Sequence, residues 1–365
     1  MDKLSGLGSG DRSGDTDYIY GIIAKSINNT GICMATRAIA VLAYDGCMGM
    51  EVLGICDTLL LANRVALAIN GPGSEPVFAV SVVSLGGGNV VAAGGITIGT
   101  RRPPRSPGLL VVPGMDLSDR AACLKPLSHL GAQTAYIAKT FAKGTPVAAI
   151  CVGAFMLGEA GLLDGRRATT SWMFAAQLAQ RFPLARIDPA AILLEDAGVS
   201  TTGSFSAAFD LAMLLIRQTA GAKVARAVGR MGLLEAGRAS QAAYVDSRML
   251  DKPDAGFAVN VHAWLAHRMD EPYDLARMAS AFHVSPRTLL RRVKAETGHS
   301  PLAYLQTARI DKAKLLLEST GLALAQVTEK VGYTDVATFG SLFKRLVGQT
   351  PAEYRRRFRQ PAGKR

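Results

Sequence analysis

A cysteine at the end of an apolar run offers the most reactive chemistry in this chain. In TPVAAICVGAFMLGEAGLLDGRRATTSW (145–172) a strand runs into Cys151 and Val152, and Gly153 opens a helix. A thiol on such a strand-to-helix elbow stands above a sheet beside a helix N-terminus, where a thiolate is favoured. Two other strand ends can join it. LLVVPGMD offers the backbone amides of Gly114 and Met115, and YDGCMGMEVLG supplies Glu51. Hydrolysis by a thiol also wants an imidazole to take and return the proton. The one histidine before residue 257 is His129, ahead of Gly131 and distant in sequence, and its expected role is surface or packing. Two readings therefore stay open for Cys151: a small residue in a tight turn, or a thiol that contacts a ligand or senses oxidation. Glu51 is either a helix-start carboxylate or part of the same site.

Strands and helices alternate from 37 to about 234. AIAVLAY, VALAI, FAVSVVS, LLVVPG and PVAAIC read as short buried strands, with SHLGAQTAYIAKTFAKG and AFMLGEAGLL as helices among them. Alternation of this kind predicts a parallel sheet covered on both faces, with function at the carboxyl ends of the strands. The glycine-rich SLGGGNVVAAGG (84–95) lacks a phosphate-loop ending and reads as a hairpin or loop. Asp210, on an apolar helix, is expected to bridge to a backbone amide. Residues 1–36 are polar, lack the order of a signal peptide and read as a disordered leader. No apolar run reads as both long and uninterrupted enough to span a membrane. Five cysteines without a C-x-x-C pair or zinc spacing imply a reducing, cytoplasmic setting with no metal and no cofactor.

The last hundred residues contain one motif twice. LARMASAFHVSPRTLLRRVKAETGHSPLAYL (275–305) aligns with LAQVTEKVGYTDVATFGSLFKRLVGQTPAEY (324–354). Each copy has the layout of a helix-turn-helix. In the first, Leu275, Met278 and Ala279 face inward, Ser285 caps a new helix and Pro286 opens it. Leu289 and Val293 are its buried face. Arg287, Thr288, Leu290, Arg291 and Lys294 lie mostly on the other, where arginine can meet guanine edges or phosphate. In the second, Val327 and Val331 are buried, Gly332 turns, Thr334 or Asp335 caps, and Phe339, Leu342 and Phe343 anchor. Its turn reads one residue longer. Its outward face, with Val336, Ala337, Thr338 and Ser341 ahead of Lys344, is uncharged before the lysine and suits methyl groups and phosphate. AYLQTARIDKAKLLLES (303–319) predicts a long joining helix, and FAVNVHAWLAHRM (257–269) a helix before the repeat. The chain carries a net charge of +12; residues 257–365 hold eighteen lysines and arginines against nine acids, a net of +9. Such a surface attracts phosphate. The basic end YRRRFRQPAGKR (354–365) is either a frayed tail or a backbone contact.

This segment resembles the AraC/XylS-type DNA-binding domain over its whole length, on the G-x-[ST]-P-x-x-Y endings, ARIDKAKLLL and VGYTD. The resemblance implies that Arg287, Leu290 and Arg291 meet bases from the first reading helix, and Val336, Ala337, Thr338 and Ser341 from the second. The pieces of 37–234 resemble the PfpI-type, glutamine-amidotransferase-like fold, closest to the subgroup fused to AraC-type readers. That match makes Cys151 the elbow thiol and Glu51 the acid near it. Ser171 stands where the pattern A-G-L-L-D-G-R-R-A-T-T-H-W has histidine, so an enzyme fold retired to sensing is expected. The predicted organisation is a leader (1–36), a flavodoxin-like or amidotransferase-like sensor domain (37–235), a linker (236–256) that lets the domains take different positions, and an all-α double helix-turn-helix domain (257–361). The expected ligand pocket comprises Glu51, Gly114, Met115, Cys151, Val152 and Ser171. Expected partners are promoter DNA, a small effector of the amino-acid or betaine class, a second copy in a homodimer, and RNA polymerase if the chain activates. No membrane partner is expected. The alternatives are a thiol amidase or hydratase tethered to DNA, and a cysteine redox sensor.

Overall fold

The structure is a computed structural model that describes residues 36–116, 127–235, 238, 240–246, 249–250 and 256–359. The expected leader, but for Thr36, and Cys33 and Cys123 lie outside the described residues. The chain divides into two compact units, 1–238 and 239–365.

The first unit is built on a six-stranded sheet. Its strands are β1 (Arg37–Leu42), β2 (Phe78–Val83), β5 (Leu109–Val112), β6 (Val147–Ala149), β9 (Leu193–Asp196) and β10 (Val199–Thr202), in the order β2-β1-β5-β6-β10-β9. All neighbours are parallel except β9, which pairs antiparallel with β10 at one edge. The sheet is thus mixed at that edge. All four residues of β5 and all three of β6 are buried, as continuous apolar strands between helical layers should be. The glycine-rich segment forms the predicted hairpin, β3 (Gly88–Val91) with β4 (Thr97–Thr100). Two short strands, β7 (Arg167–Ala168) and β8 (Arg186–Ile187), pair beside the sheet.

The covering helices are α1 (Gly49–Asn70), α2 (Gly131–Ala142), α3 (Ala154–Glu159), α4 (Ala175–Arg181) and α5 (Ala207–Met231), the last kinked at Gly221. Two expectations fail in α1. VALAI (65–69) is its last part, not a strand: Val65 and Ala66 are buried one helical turn beyond Ala62, and continue the same inward face. By length and composition α1 could also cross a membrane. Val52, Ile55, Leu59, Ala62 and Val65 nevertheless lie in the domain core, so burial in protein explains its apolar character. Asp210 does not bridge to an amide: it pairs with Arg238, which also donates to Ser206 Oγ (3.0 Å).

The second unit consists of α6 (Phe257–Ala266), α7 (Leu275–Ala281), α8 (Pro286–Thr297), α9 (Pro301–Ser319), α10 (Leu324–Lys330), α11 (Val336–Val347) and α12 (Pro351–Phe358). It has two small cores. One gathers Val261, Met278, Leu289, Val293 and Leu305; the other gathers Ile310, Ala313, Leu317, Val327, Phe339 and Phe343. The long α9 contributes Leu305 to one and Leu317 to the other, so a single rod joins the two repeats. The expected linker is in part structured. Ala243 is buried in the second core, Tyr244 meets the Phe358 ring edge-on, and Lys314 Nζ donates to Ala242 O and Val245 O (3.0 Å each). Small and aromatic side chains there found an apolar surface to cover, which polarity alone did not reveal.

Between the cores, Arg309 is buried. Its Nε donates to Met269 O (2.7 Å), its second arm to Glu271 O (2.5 Å), and its guanidinium lies 5.0 Å from the Tyr333 ring centroid. Arg309→Leu leaves those carbonyls without their donor and removes the stacking partner of Tyr333. We expect a loss of about 2–4 kcal/mol in the helical unit. Calorimetry of the full chain should show its transition move down while that of the α/β unit holds.

Candidate functional site

β1, β5 and β6 are adjacent in the sheet, so the loops at their carboxyl ends meet. The first carries Glu51, in the opening turn of α1; the second carries Gly114; the third carries Cys151. Close packing fixes the elbow. A Cβ on Gly153 would stand 2.6 Å from Val112 O and 2.8 Å from Pro113 O, so only glycine lets α3 start this near β5. Cys151 takes a positive φ of 53°, a conformation that costs a non-glycine residue about 1–3 kcal/mol. The turn is held by the Thr170 hydroxyl donating to Cys151 O (2.8 Å) and by the Cys151 amide donating to Thr202 Oγ1 (3.4 Å).

Glu51 is fully buried, and its Oε2 accepts the Gly114 amide at 2.5 Å. Burial pushes the carboxyl up to about 8; the Gly114 amide and the Cys151 thiol oppose the shift but do not cancel it. At neutral pH the acid is therefore mostly protonated. The thiol of Cys151 is raised well above the usual thiol range, first by burial and then by Glu51, against a lowering by the Val152 amide. The expected thiolate is thus not favoured. One helix N-terminus does not offset burial together with a neighbouring carboxyl. Cys47 is also raised by burial, and Cys56 is pushed up to about 12.

The predicted pocket residues converge only in part. Glu51, Gly114, Cys151 and Val152 come together, but the Gly114 amide is already taken by Glu51 and so is no free donor. Val152 is buried, its Cγ2 2.9 Å from where a Cβ on Gly114 would stand. Met115 is buried and bridges to Cys47 as an isolated β-pair. Ser171 follows β7, with its hydroxyl 3.0 Å from that of Ser204. His129 is exposed on a short turn at Ser128–Leu130, and among the described residues no imidazole acts on the Cys151 thiol. Sequence reasoning missed Thr170, Thr202 and Ser204, the hydroxyls around the elbow. The T-T-S run (169–171) was the available signal.

The repeat folds as two helix-turn-helix units with matching backbone bonds. Val284 N donates to Ala279 O in the first turn, and Tyr333 N to Thr328 O in the second, both at 3.1 Å. His283 and Gly332 hold the corresponding left-handed positions, with φ of 53° and 77°. A Cβ on Gly332 would fall 2.5 Å from Met269 O, so this turn requires glycine where the first admits histidine. Ser285 caps α8 by accepting Thr288 N (3.2 Å). Asp335, not Thr334, caps α11 by accepting Thr338 N (2.6 Å), one residue later in its motif.

Arg287, Arg291 and Lys294 are exposed on α8, and Thr288 and Leu290 are half-buried. Thr288 is also tied to the cap, its hydroxyl 2.9 Å from that of Ser285. On α11, Val336, Ala337, Thr338, Ser341 and Lys344 are all exposed. Arg292, beside the reading face, instead stacks 3.9 Å from the Phe257 centroid. Of the basic end, Arg355 donates to Leu322 O (2.6 Å), and Arg357 lies over the Tyr244 ring; residues 360–365 lie outside the described part.

Comparison with known proteins agrees with both halves. The DJ-1/PfpI family profile matches residues 40–218, and a helix-turn-helix domain profile matches 278–357. The chain is 29% identical to the HTH-type transcriptional regulator GlxA of Rhizobium meliloti, over 81% of this chain and 90% of that protein. It is 24% identical to the HTH-type transcriptional regulator GbdR of Pseudomonas aeruginosa, over 90% and 86% respectively. Among solved structures, an AraC family transcriptional regulator from Pseudomonas putida aligns at 22% identity with a TM-score of 0.43, over 54% of this chain and 98% of that one. With its strand-order, its elbow and its doubled helix-turn-helix, the chain is an AraC/XylS-type regulator fused to a DJ-1/PfpI-like domain.

Proposed function

We propose that this chain regulates transcription by binding promoter DNA in response to a small metabolite, and that its α/β domain binds that metabolite without turning it over. The observation that carries the DNA reading is the pair of capped helices, α8 and α11, whose outward residues are exposed while their inward residues fill two cores joined by α9. Arg287, Arg291 and Lys294 suit guanine edges and phosphates, and Val336, Ala337, Thr338 and Ser341 suit methyl groups. Two such helices in tandem suit successive major grooves on one face of a duplex.

For the α/β domain, the support is a thiol that burial keeps protonated, a carboxyl acid already bonded to Gly114, and a serine in place of the expected histidine. A nucleophilic thiol enzyme needs the reverse: an ionisable sulfur with a base at hand. The family resemblance supports a nitrogen-bearing effector of the amino-acid or betaine class, and action in the cytoplasm. The effector would work by binding one arrangement of the chain better than another; contact with RNA polymerase would follow if the outcome is activation.

Two measurements test these readings. Arg291→Ala should weaken binding to the specific site by about 1–3 kcal/mol while leaving affinity for random duplex much less changed. Equal losses on both would reduce Arg291 to a phosphate contact. For the thiol, alkylation of Cys151 by iodoacetamide, followed by mass spectrometry of its peptide, should run at least about tenfold slower at pH 7 than in the denatured chain. Above a pH of about 8 the Glu51 carboxylate opposes ionisation of the thiol. Glu51→Gln should therefore speed alkylation at pH 8.5. A rate that falls instead would mean that Glu51 activates the sulfur, as in a working thiol enzyme.

A further inference from the structure

The second helical repeat carries cations that nothing in the repeat balances. Arg355 and Arg356 on α12, and Arg359 just after it, line one groove of about 540 Å3. Its floor is Leu317 from the last turn of α9, Leu324 from the start of α10 and Pro351 from the start of α12. Leu317 and Pro351 are buried, and Leu324 is half-buried. No residue of α11 lines the groove, so it is distinct from the second reading face.

Two of the guanidiniums converge on the turn between α9 and α10. Arg359 N donates to Arg355 O (2.9 Å), so Arg359 continues the helical turn, four residues on and on the same face. Arg355 Nη2 donates to Leu322 O (2.6 Å), and a Cβ on Gly321 would stand 3.5 Å from Arg359 Nη2. Arg355 is anchored but not satisfied, since its Nε is buried without an acceptor. Among the described residues none of the three arginines forms an ion pair. The neighbouring acids are engaged elsewhere: Glu318 accepts the Tyr354 hydroxyl, and Glu353 accepts Thr350 N (2.8 Å).

These features make two demands on a ligand. Guanidiniums present parallel donors that match the two oxygens of a carboxylate, and an anion among three unpaired cations is attracted by all of them. The floor asks for hydrocarbon, which bare phosphate or a duplex backbone does not supply. A molecule with a carboxylate at one end and an apolar body at the other meets both demands, and the groove has the volume of a small-molecule site. We infer that it binds a small organic acid, with the carboxylate on Arg355 and Arg359 and the apolar body over Leu317, Leu324 and Pro351. The site does not rest on the regulator reading. If that reading holds, a ligand here acts on the second repeat directly, whatever the α/β domain binds.

The test is isothermal titration of the full chain with octanoate and 1-naphthoate, against their neutral amides, acetate and inorganic phosphate. At least one of the two carboxylates should bind with a Kd below about 1 mM. The amides, acetate and phosphate should bind at least about tenfold more weakly. Arg359→Gln should weaken carboxylate binding by about tenfold. Ala352→Glu, at an exposed position lining the groove, should abolish it, and both variants should keep the wild-type melting curve. Failure of both carboxylates to bind, amides or bare anions bound as tightly as the carboxylates, or undiminished binding in both variants would overturn the site. So would an Arg359→Gln chain that keeps carboxylate binding but loses duplex affinity with a shallower salt dependence, which would make the cluster a phosphate contact. Carboxylate binding by a chain that shows no preference for its upstream DNA would fault the regulator reading and leave the site standing.

Discussion

A single buried guanidinium holds the two reading helices in one register. Arg309 sits midway along α9, where the core of the first repeat gives way to that of the second. Its hydrogen bonds end on the carbonyls of Met269 and Glu271, between α6 and α7, and its face lies over Tyr333 in the second turn. A charge taken out of water is tolerable only when its donors are satisfied, and here the partners belong to both repeats. The cost of burial is thus turned into geometry: a shift would part the cation from its carbonyls on one side or from the Tyr333 ring on the other. The proposed reading of two successive grooves would depend on that spacing, because the outward side chains of α8 and α11 could meet bases together only with their helices held at a fixed separation.

The α/β domain shows a different use of a buried polar group. Glu51 lies at the carboxyl ends of three neighbouring strands, with one oxygen on the Gly114 amide and the Cys151 thiol as its neighbour. Among the described residues no cation offsets it, so burial decides and the proton stays on. The same carboxyl then raises the thiol. The elbow retains the backbone of a nucleophile site, including the positive φ at Cys151 and the close approach at Gly153, while burial keeps its thiol protonated. The hydroxyls of Thr170, Ser171, Thr202 and Ser204 around it cannot serve as a base near neutral pH.

Much of this was legible in the residues. The repeat, its caps at Ser285 and Asp335 and its turn at Gly332 follow from local rules, since capping and left-handed turns depend on residues a few positions apart. The longer second turn was likewise visible, as one extra residue between Gly332 and the cap. The strand runs at β1, β5 and β6 were readable because strands buried on both faces are uniformly apolar. VALAI misled because an apolar run of five has no period of its own, and only burial on one side of α1 identifies it as helix. The thiolate expectation failed because local sequence shows a helix N-terminus but not the burial of the sulfur, to which the Glu51 carboxyl adds. The linker misled for a similar reason: Ala242–Tyr244 acquires its role only from the groove between α9, α11 and α12.

The most direct test of the central claim, that this chain recognises DNA by sequence, is a titration of the full chain against the DNA upstream of its own gene and against random duplex, each at two salt concentrations. Phosphate contacts weaken with salt on both duplexes alike, whereas base contacts survive as a difference between them. Binding should be tighter to the upstream DNA, with the preference retained at the higher salt. Equal binding to both, erased together as salt rises, with and without candidate amino-acid and betaine effectors, would contradict it.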